Sequence, residues 1–137
     1  MTTAREIMHA GVMCVHDSQT LEEAAVLMRD LGVGSLPICG GDGKLKGIIT
    51  DRDIVVGCVA AGVSPADMKA GQLARNLHWV DADTDITDVL ETMEIHQIRR
   101  IPVLENDKLV GMVSESDLAK HLDDDQLAEF IERVYSD

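Results

Sequence analysis

The chain has 137 residues and a formal net charge of −13, with 45% of its residues hydrophobic, 27% charged and 2% aromatic. That charge repels a polyanion and the scarcity of aromatics leaves no stacking platform, which argues against nucleic acid as a partner. The longest nearly apolar run, residues 54–61, is far short of the roughly 20 residues that a membrane helix needs, and residues 1–6 carry no basic and apolar leader, so the cytoplasm is the expected compartment.

In chain order, residues 3–8 read as a short helix and residues 12–15 as a brief apolar strand entered through Gly11. Thr20 and Glu23 form a capping box that opens a helix ending at Gly32, with Leu21, Ala24, Ala25, Met28 and Leu31 on one face. Residues 35–38 and 46–50 read as antiparallel strands joined through Gly40, Gly41, Asp42 and Gly43, and a helix runs from Asp51 to about Ala61. The Pro- and Gly-broken stretch that follows is a linker. The program then restarts. Residues 70–74 repeat the entry helix and residues 78–81 the first strand, while residues 85–97 form a helix with Asp85 as N-cap and Ile86, Val89, Leu90 and Met93 inward. Residues 100–104 and 109–114 make a second hairpin turned at Glu105 to Lys108, and residues 115–122 the closing helix. An acidic run, Asp123 to Asp125, precedes a last helix over residues 126–135 whose Leu127, Phe130, Ile131 and Val134 share a face, to dock on its own domain, on a second copy or on another protein.

The two passes are one frame written twice, since Pro37 and Pro102 stand 65 residues apart and Gly47 and Gly111 stand 64 apart. Gly47-Ile48-Ile49-Thr50-Asp51-Arg52-Asp53 returns as Gly111-Met112-Val113-Ser114-Glu115-Ser116-Asp117, and Leu36-Pro37-Ile38 as Ile101-Pro102-Val103. These recurring markers resemble a tandem pair of cystathionine β-synthase (CBS) domains, a Bateman module, over residues 3–122. The layout is similar to small stand-alone bacterial CBS-pair proteins linked to stress and hypoxia. The resemblance implies an α+β fold of two pseudo-symmetric β-α-β-β-α repeats packed as one module: repeat 1 over residues 3–61, a linker over 62–69, repeat 2 over 70–122 and an acidic C-terminal helix over 123–137. It also implies a non-enzymatic homodimer that binds an adenosyl ligand (AMP, ADP, ATP or S-adenosylmethionine) in the cleft between repeats and signals to a protein partner.

Thr50 and Ser114 stand where a strand gives way to a helix, so their hydroxyls and the first free backbone N–H groups converge on an anion-sized space. Asp53 and Asp117, one turn on, are placed to accept hydrogen bonds from a ribose diol, as the family's aspartates do. Val12, Met13, Pro37 and Ile38 in one half, and Val80, Ile101, Pro102 and Val103 in the other, are the candidate adenine walls. Arg100 can pair with a phosphate in the second repeat, where the first has Ser35; Arg52 supplies the charge in the first, where the second has Ser116. The same spacing also describes two plain capping boxes that need no ligand. No catalytic set or zinc-ligand spacing surrounds His9, His16, His78, His96 or His121, so no catalytic residue, metal or resident cofactor is expected. His9, Cys14 and His16 are one cluster to test for zinc. Cys14, Cys39 and Cys58 fit buried apolar packing, with a Cys14 to Cys39 bridge open if their strands are neighbours. Two other readings follow: an interaction or structural protein with empty clefts, and a thiol redox sensor.

Overall fold

The computed structural model describes residues 2–74 and 77–136. In chain order come helix α1 (Ala4–Ile7), strands β1 (His9–Ala10) and β2 (Val15–His16), helix α2 (Leu21–Leu31), and the hairpin of β3 (Ser35–Cys39) and β4 (Leu45–Thr50). Helix α3 (Asp51–Ile54) then widens into a π-helix over Val55–Val59. Short 3-10 turns at Pro65–Asp67 and Ala70–Leu73 lead to strand β5 (Val80–Asp81), helix α4 (Ile86–His96), the hairpin of β6 (Arg100–Glu105) and β7 (Lys108–Ser114), and helices α5 (Glu115–His121) and α6 (Asp124–Val134). The mixed helix and strand content and the duplicated hairpin match the α+β expectation. Contacts divide the chain into two compact units, Met13–Leu77 on its own and Met1–Val12 together with His78–Asp137.

In the unit Met13–Leu77 a three-stranded sheet runs β2-β3-β4, with β2 parallel and β4 antiparallel to β3. Helix α2 starts where Thr20 and Glu23 close a reciprocal capping box and stops at Gly32, whose φ of 67° only glycine adopts without strain. It buries Leu21, Ala24 and Met28 against Val15, Leu36, Ile38 and Ile49. The buried arc is narrower than its spacing suggests. Ala25 is exposed, off the inward face its spacing suggests, and Leu31, 43% exposed, is the last residue before the chain turns away at Gly32. The turn Ala70–Leu73 contributes Ala70 and Leu73 to this core. Cys14 and Cys39 are joined as a disulfide with Cα atoms 5.9 Å apart, as the parallel pairing of His16 with Cys39 allows. Cys58 is the buried free thiol of the described residues.

The other unit carries a four-stranded sheet in the order β1-β7-β6-β5. Its hairpin turns through Asn106 and Asp107, both at positive φ (52° and 64°), the tight two-residue turn that Asn and Asp tolerate best after glycine. Helix α4, N-capped by Asp85 as expected, lays Val89 and Met93 on Ile101, Val103 and Val113. Helix α6, capped by Asp123 and Gln126, buries Phe130 and Val134 in the same core, so the C-terminal apolar stripe docks on its own unit. Of residues 12–15, expected as one strand, only Val15 lies in a strand, β2, and a separate strand β1 forms earlier, at His9–Ala10. Gly11 at φ 74° breaks the chain between β1 and β2, and β1 pairs antiparallel with β7 (His9 with Met112, Ala10 with Gly111). A Cβ on Gly111 would stand 2.8 Å from the backbone oxygen of His9, so glycine there is what lets the entry segment lie against β7.

Candidate functional site

Both strand-to-helix corners form as the duplicated motif requires. Thr50 and Ser114 keep extended backbone (φ −117° and −122°) and cap the helices that follow. At the first corner the Thr50 N–H donates to Asp53 Oδ2 at 2.9 Å and the Asp53 N–H to Thr50 Oγ1 at 3.1 Å. At the second, the Ser114 N–H donates to Asp117 Oδ2 at 2.9 Å, and the Ser114 hydroxyl to the same oxygen at 2.9 Å. Each aspartate is therefore turned toward its own helix start, and each cap is the reciprocal kind. A carboxylate offers about four lone-pair sites. Among the described residues, the cap uses one of them at Asp53.

The corners differ in what else reaches them. Asp53 is half-buried, and among the described residues only Thr50 donates to its carboxylate. Arg52, beside it, is exposed and has no ion-pair partner among the described residues. Asp117 is 7% exposed, and its Oδ2 also receives the His9 ring at 2.6 Å. A carboxylate is an acceptor only, so His9 Nδ1 carries the proton in that bond. His121 Nδ1 donates to the Asp117 carbonyl oxygen at 2.8 Å. Arg100 lies opposite Ser114 in the β6-β7 register. Arg99 donates to the Tyr135 hydroxyl at 3.2 Å while lying over its ring, and that hydroxyl donates to Glu115 at 2.9 Å.

The candidate adenine walls are distributed unevenly. Ile38, Ile101 and Val103 are fully buried members of the two cores, Val80 is 6% exposed, and Pro37 and Pro102 are buried beside them. Val12 is half-buried. Met13 is 52% exposed and lines a groove of about 480 Å³ with Cys14, Glu22, Val26, Leu27 and Asp30. A second groove, of about 680 Å³, runs between α4 and α6 past Leu90, Glu94, Ile95, Glu129 and Arg133. Neither includes Thr50, Asp53, Ser114 or Asp117.

His9 belongs to one unit and Cys14 and His16 to the other, and each has its own partner: Asp117 for His9, Cys39 for Cys14, and Ser18 at 2.7 Å with Asp17 at 3.2 Å for His16. Among the described residues no three His, Cys, Asp or Glu side chains are grouped to hold a metal ion. His78 and His96 stack at 3.6 Å between ring centroids, and burial, followed by the nearby His96, lowers the pKa of His78. Two features were missed in the sequence. The His9 to Asp117 bond joins residues 108 apart, and only the register of β1 on β7 reveals it. The Tyr135 bridge between Arg99 and Glu115 needs the docking of α6.

Among the described residues no helix is long and apolar enough to cross a membrane. The CBS domain family model matches residues 4–58 and again residues 70–124. Hypoxic response protein 1 of Mycobacterium tuberculosis is 48% identical over 137 residues, covering 99% of this chain and 96% of that protein. The CBS domain-containing protein YhcV of Bacillus subtilis is 34% identical over 119 residues, covering 87% and 84%. A crystal structure of Hypoxic Response Protein I with two coordinated zinc ions superposes with a TM-score of 0.83 at 51% identity, covering 89% of this chain and 100% of that one. A conserved CBS domain protein of Thermoplasma acidophilum shares the fold, with a TM-score of 0.86 at 18% identity over 98% of this chain and 77% of that one. Two matched frames, each ending in a capped corner, and a relative alike over nearly its whole length place this chain in the CBS domain family, as a small CBS-pair protein.

Proposed function

We propose that the chain is a non-enzymatic regulatory module that takes an adenosyl ligand at the Thr50 and Asp53 corner and relays its occupancy to a protein partner as a homodimer. The observation that carries this reading is the state of Asp53, whose carboxylate is half-exposed and keeps acceptor capacity beyond its cap for a ribose diol. Arg52 stands one residue away to meet a phosphate, and the Thr50 hydroxyl sits at the helix start. With −13 on the whole chain, a monophosphate or a sulfonium ligand is favoured over free ATP. Ligand acts on a partner only through its differential affinity for two states of the module.

Calorimetry with AMP, ATP and S-adenosylmethionine tests this. Asp53→Asn keeps an oxygen for the Thr50 N–H but loses the acceptor-only carboxylate, so the bound ligand weakens by about 10- to 100-fold, the worth of hydrogen bonds to a charged group. Absence of heat from all three ligands overturns the reading in favour of an interaction protein.

A second reading, a zinc-binding protein, is favoured by the two zinc ions in the crystal structure of the 51% identical relative. The described residues of this chain group no three metal ligands, so a closed zinc site does not fit them. Stoichiometric zinc in protein purified without added metal is the result that establishes it.

A further inference from the structure

The two corners share one sequence frame but not one set of neighbours. At Asp117, three donors crowd a single carboxylate oxygen: the Ser114 N–H at 2.9 Å, the Ser114 hydroxyl at 2.9 Å and the His9 ring at 2.6 Å. The Asp117 side chain is 9% exposed and that of His9 51%, so the imidazole lies on the solvent side of the carboxylate. His9 is not a loose side chain that happens to fall there. Its backbone pairs with Met112 in the β1-β7 ladder, against the glycine at 111 that permits the approach. Upstream, the Ala4 N–H donates to the Thr84 carbonyl at 2.8 Å, the Arg5 N–H to the Ala82 carbonyl at 2.9 Å, and the Arg5 guanidinium to Glu105 at 2.9 Å. A ribose diol reaching Asp117 has to displace a histidine held by a strand. At Asp53 no described side chain stands in that place, and the carboxylate is half-exposed.

We propose that His9 closes the Asp117 corner, so that the chain offers one adenosyl site, at Asp53, and the second corner opens only when His9 leaves its carboxylate. This rests on the adenosyl reading above and adds to it a stoichiometry and the residue that sets it. The two repeats are then unequal: one senses ligand, while the other is held shut by the entry strand, and any signal that peels β1 from β7 raises the binding capacity from one to two.

The test is calorimetry of the full chain with AMP, ATP and S-adenosylmethionine as probes, on wild type, Asp53→Asn, His9→Ala and the double variant. The expected result is one site in the wild type, one site weakened by about 10- to 100-fold in Asp53→Asn, two sites in His9→Ala, and two sites in the double variant, one of them weakened by the same factor. Circular dichroism shows whether each variant is folded. Hydrogen exchange on the wild type alone gives a second readout, with ligand protection expected around residues 50–53 and not around 114–117. Two sites in the wild type, a single site whose affinity Asp53→Asn leaves unchanged, or a His9→Ala protein still limited to one site overturns the role of His9 while leaving the adenosyl reading intact. No heat from any probe with either wild type or His9→Ala overturns the adenosyl reading itself.

Discussion

His78 and His96 are stacked with rings 3.6 Å apart and 17° from parallel. Burial first, and the neighbouring His96 second, hold His78 below its ordinary value of 6.5. The unfolded chain therefore binds protons on this side chain at a pH where the folded chain does not, so stability rises with pH across that window. The contribution is fully present above pH 6.5 and is lost as the pH falls below it. Urea midpoints measured from about pH 5 to about pH 7 are expected to climb in the wild type and to climb less in His78→Gln. At this scale the sequence was half legible. Thr50 with Asp53 and Ser114 with Asp117 were readable both as caps and as a ligand grip, and both do form caps. The spacing of three residues dictates the cap, because it is satisfied within one helical turn. Whether a carboxylate has anything left for a ligand depends on a residue 108 positions away, and no local pattern encodes that.

Among the elements, the helices followed their periodicity where one face met a sheet squarely. Helix α6 is the clearest case, since Leu127, Phe130 and Val134 pack inward as their spacing predicts, while Ile131 stays 36% exposed. Truncating its fully buried anchor, Phe130→Ala, is expected to cost about 3–5 kcal/mol in denaturant unfolding. The short strands were harder to place. Two-residue strands such as β1 and β5 carry almost no alternation to read, and their positions come from partners elsewhere in the chain. Strand β1 also yields a sharp prediction at Gly111, where an added Cβ meets Met8 Sδ and the His9 carbonyl oxygen 2.8 Å away. Gly111→Ala is expected to lower stability by about 1–3 kcal/mol, and a chemical denaturation curve checks it. By pushing on the His9 backbone, the same substitution is also expected to loosen the second corner.

For the molecule as a whole, the duplicated frame was legible because long motifs recur in order, and two hairpins stand where two frames predicted them. The bridge from Cys14 to Cys39 was left open by the sequence, since an odd number of scattered cysteines does not fix a pairing; the parallel register of β2 on β3 settles it. It closes a separation of 25 residues, so Cys14→Ser or reduction with dithiothreitol is expected to remove about 3 kcal/mol of stability, read as a lower denaturation midpoint. The register of the repeats shows where each frame begins but not on which sheet its entry segment comes to rest. Ala4 and Ile7 sit in a core made otherwise of residues from Val80 onward, while Ala70 and Leu73 complete the core that begins at Val15. Residues Met13–Leu77 group among themselves, whereas the opening dozen residues group with the stretch from His78 onward. A bulky tag fused ahead of Ala4 would therefore disturb the unit that carries β5 to α6, not the one that follows it directly in sequence.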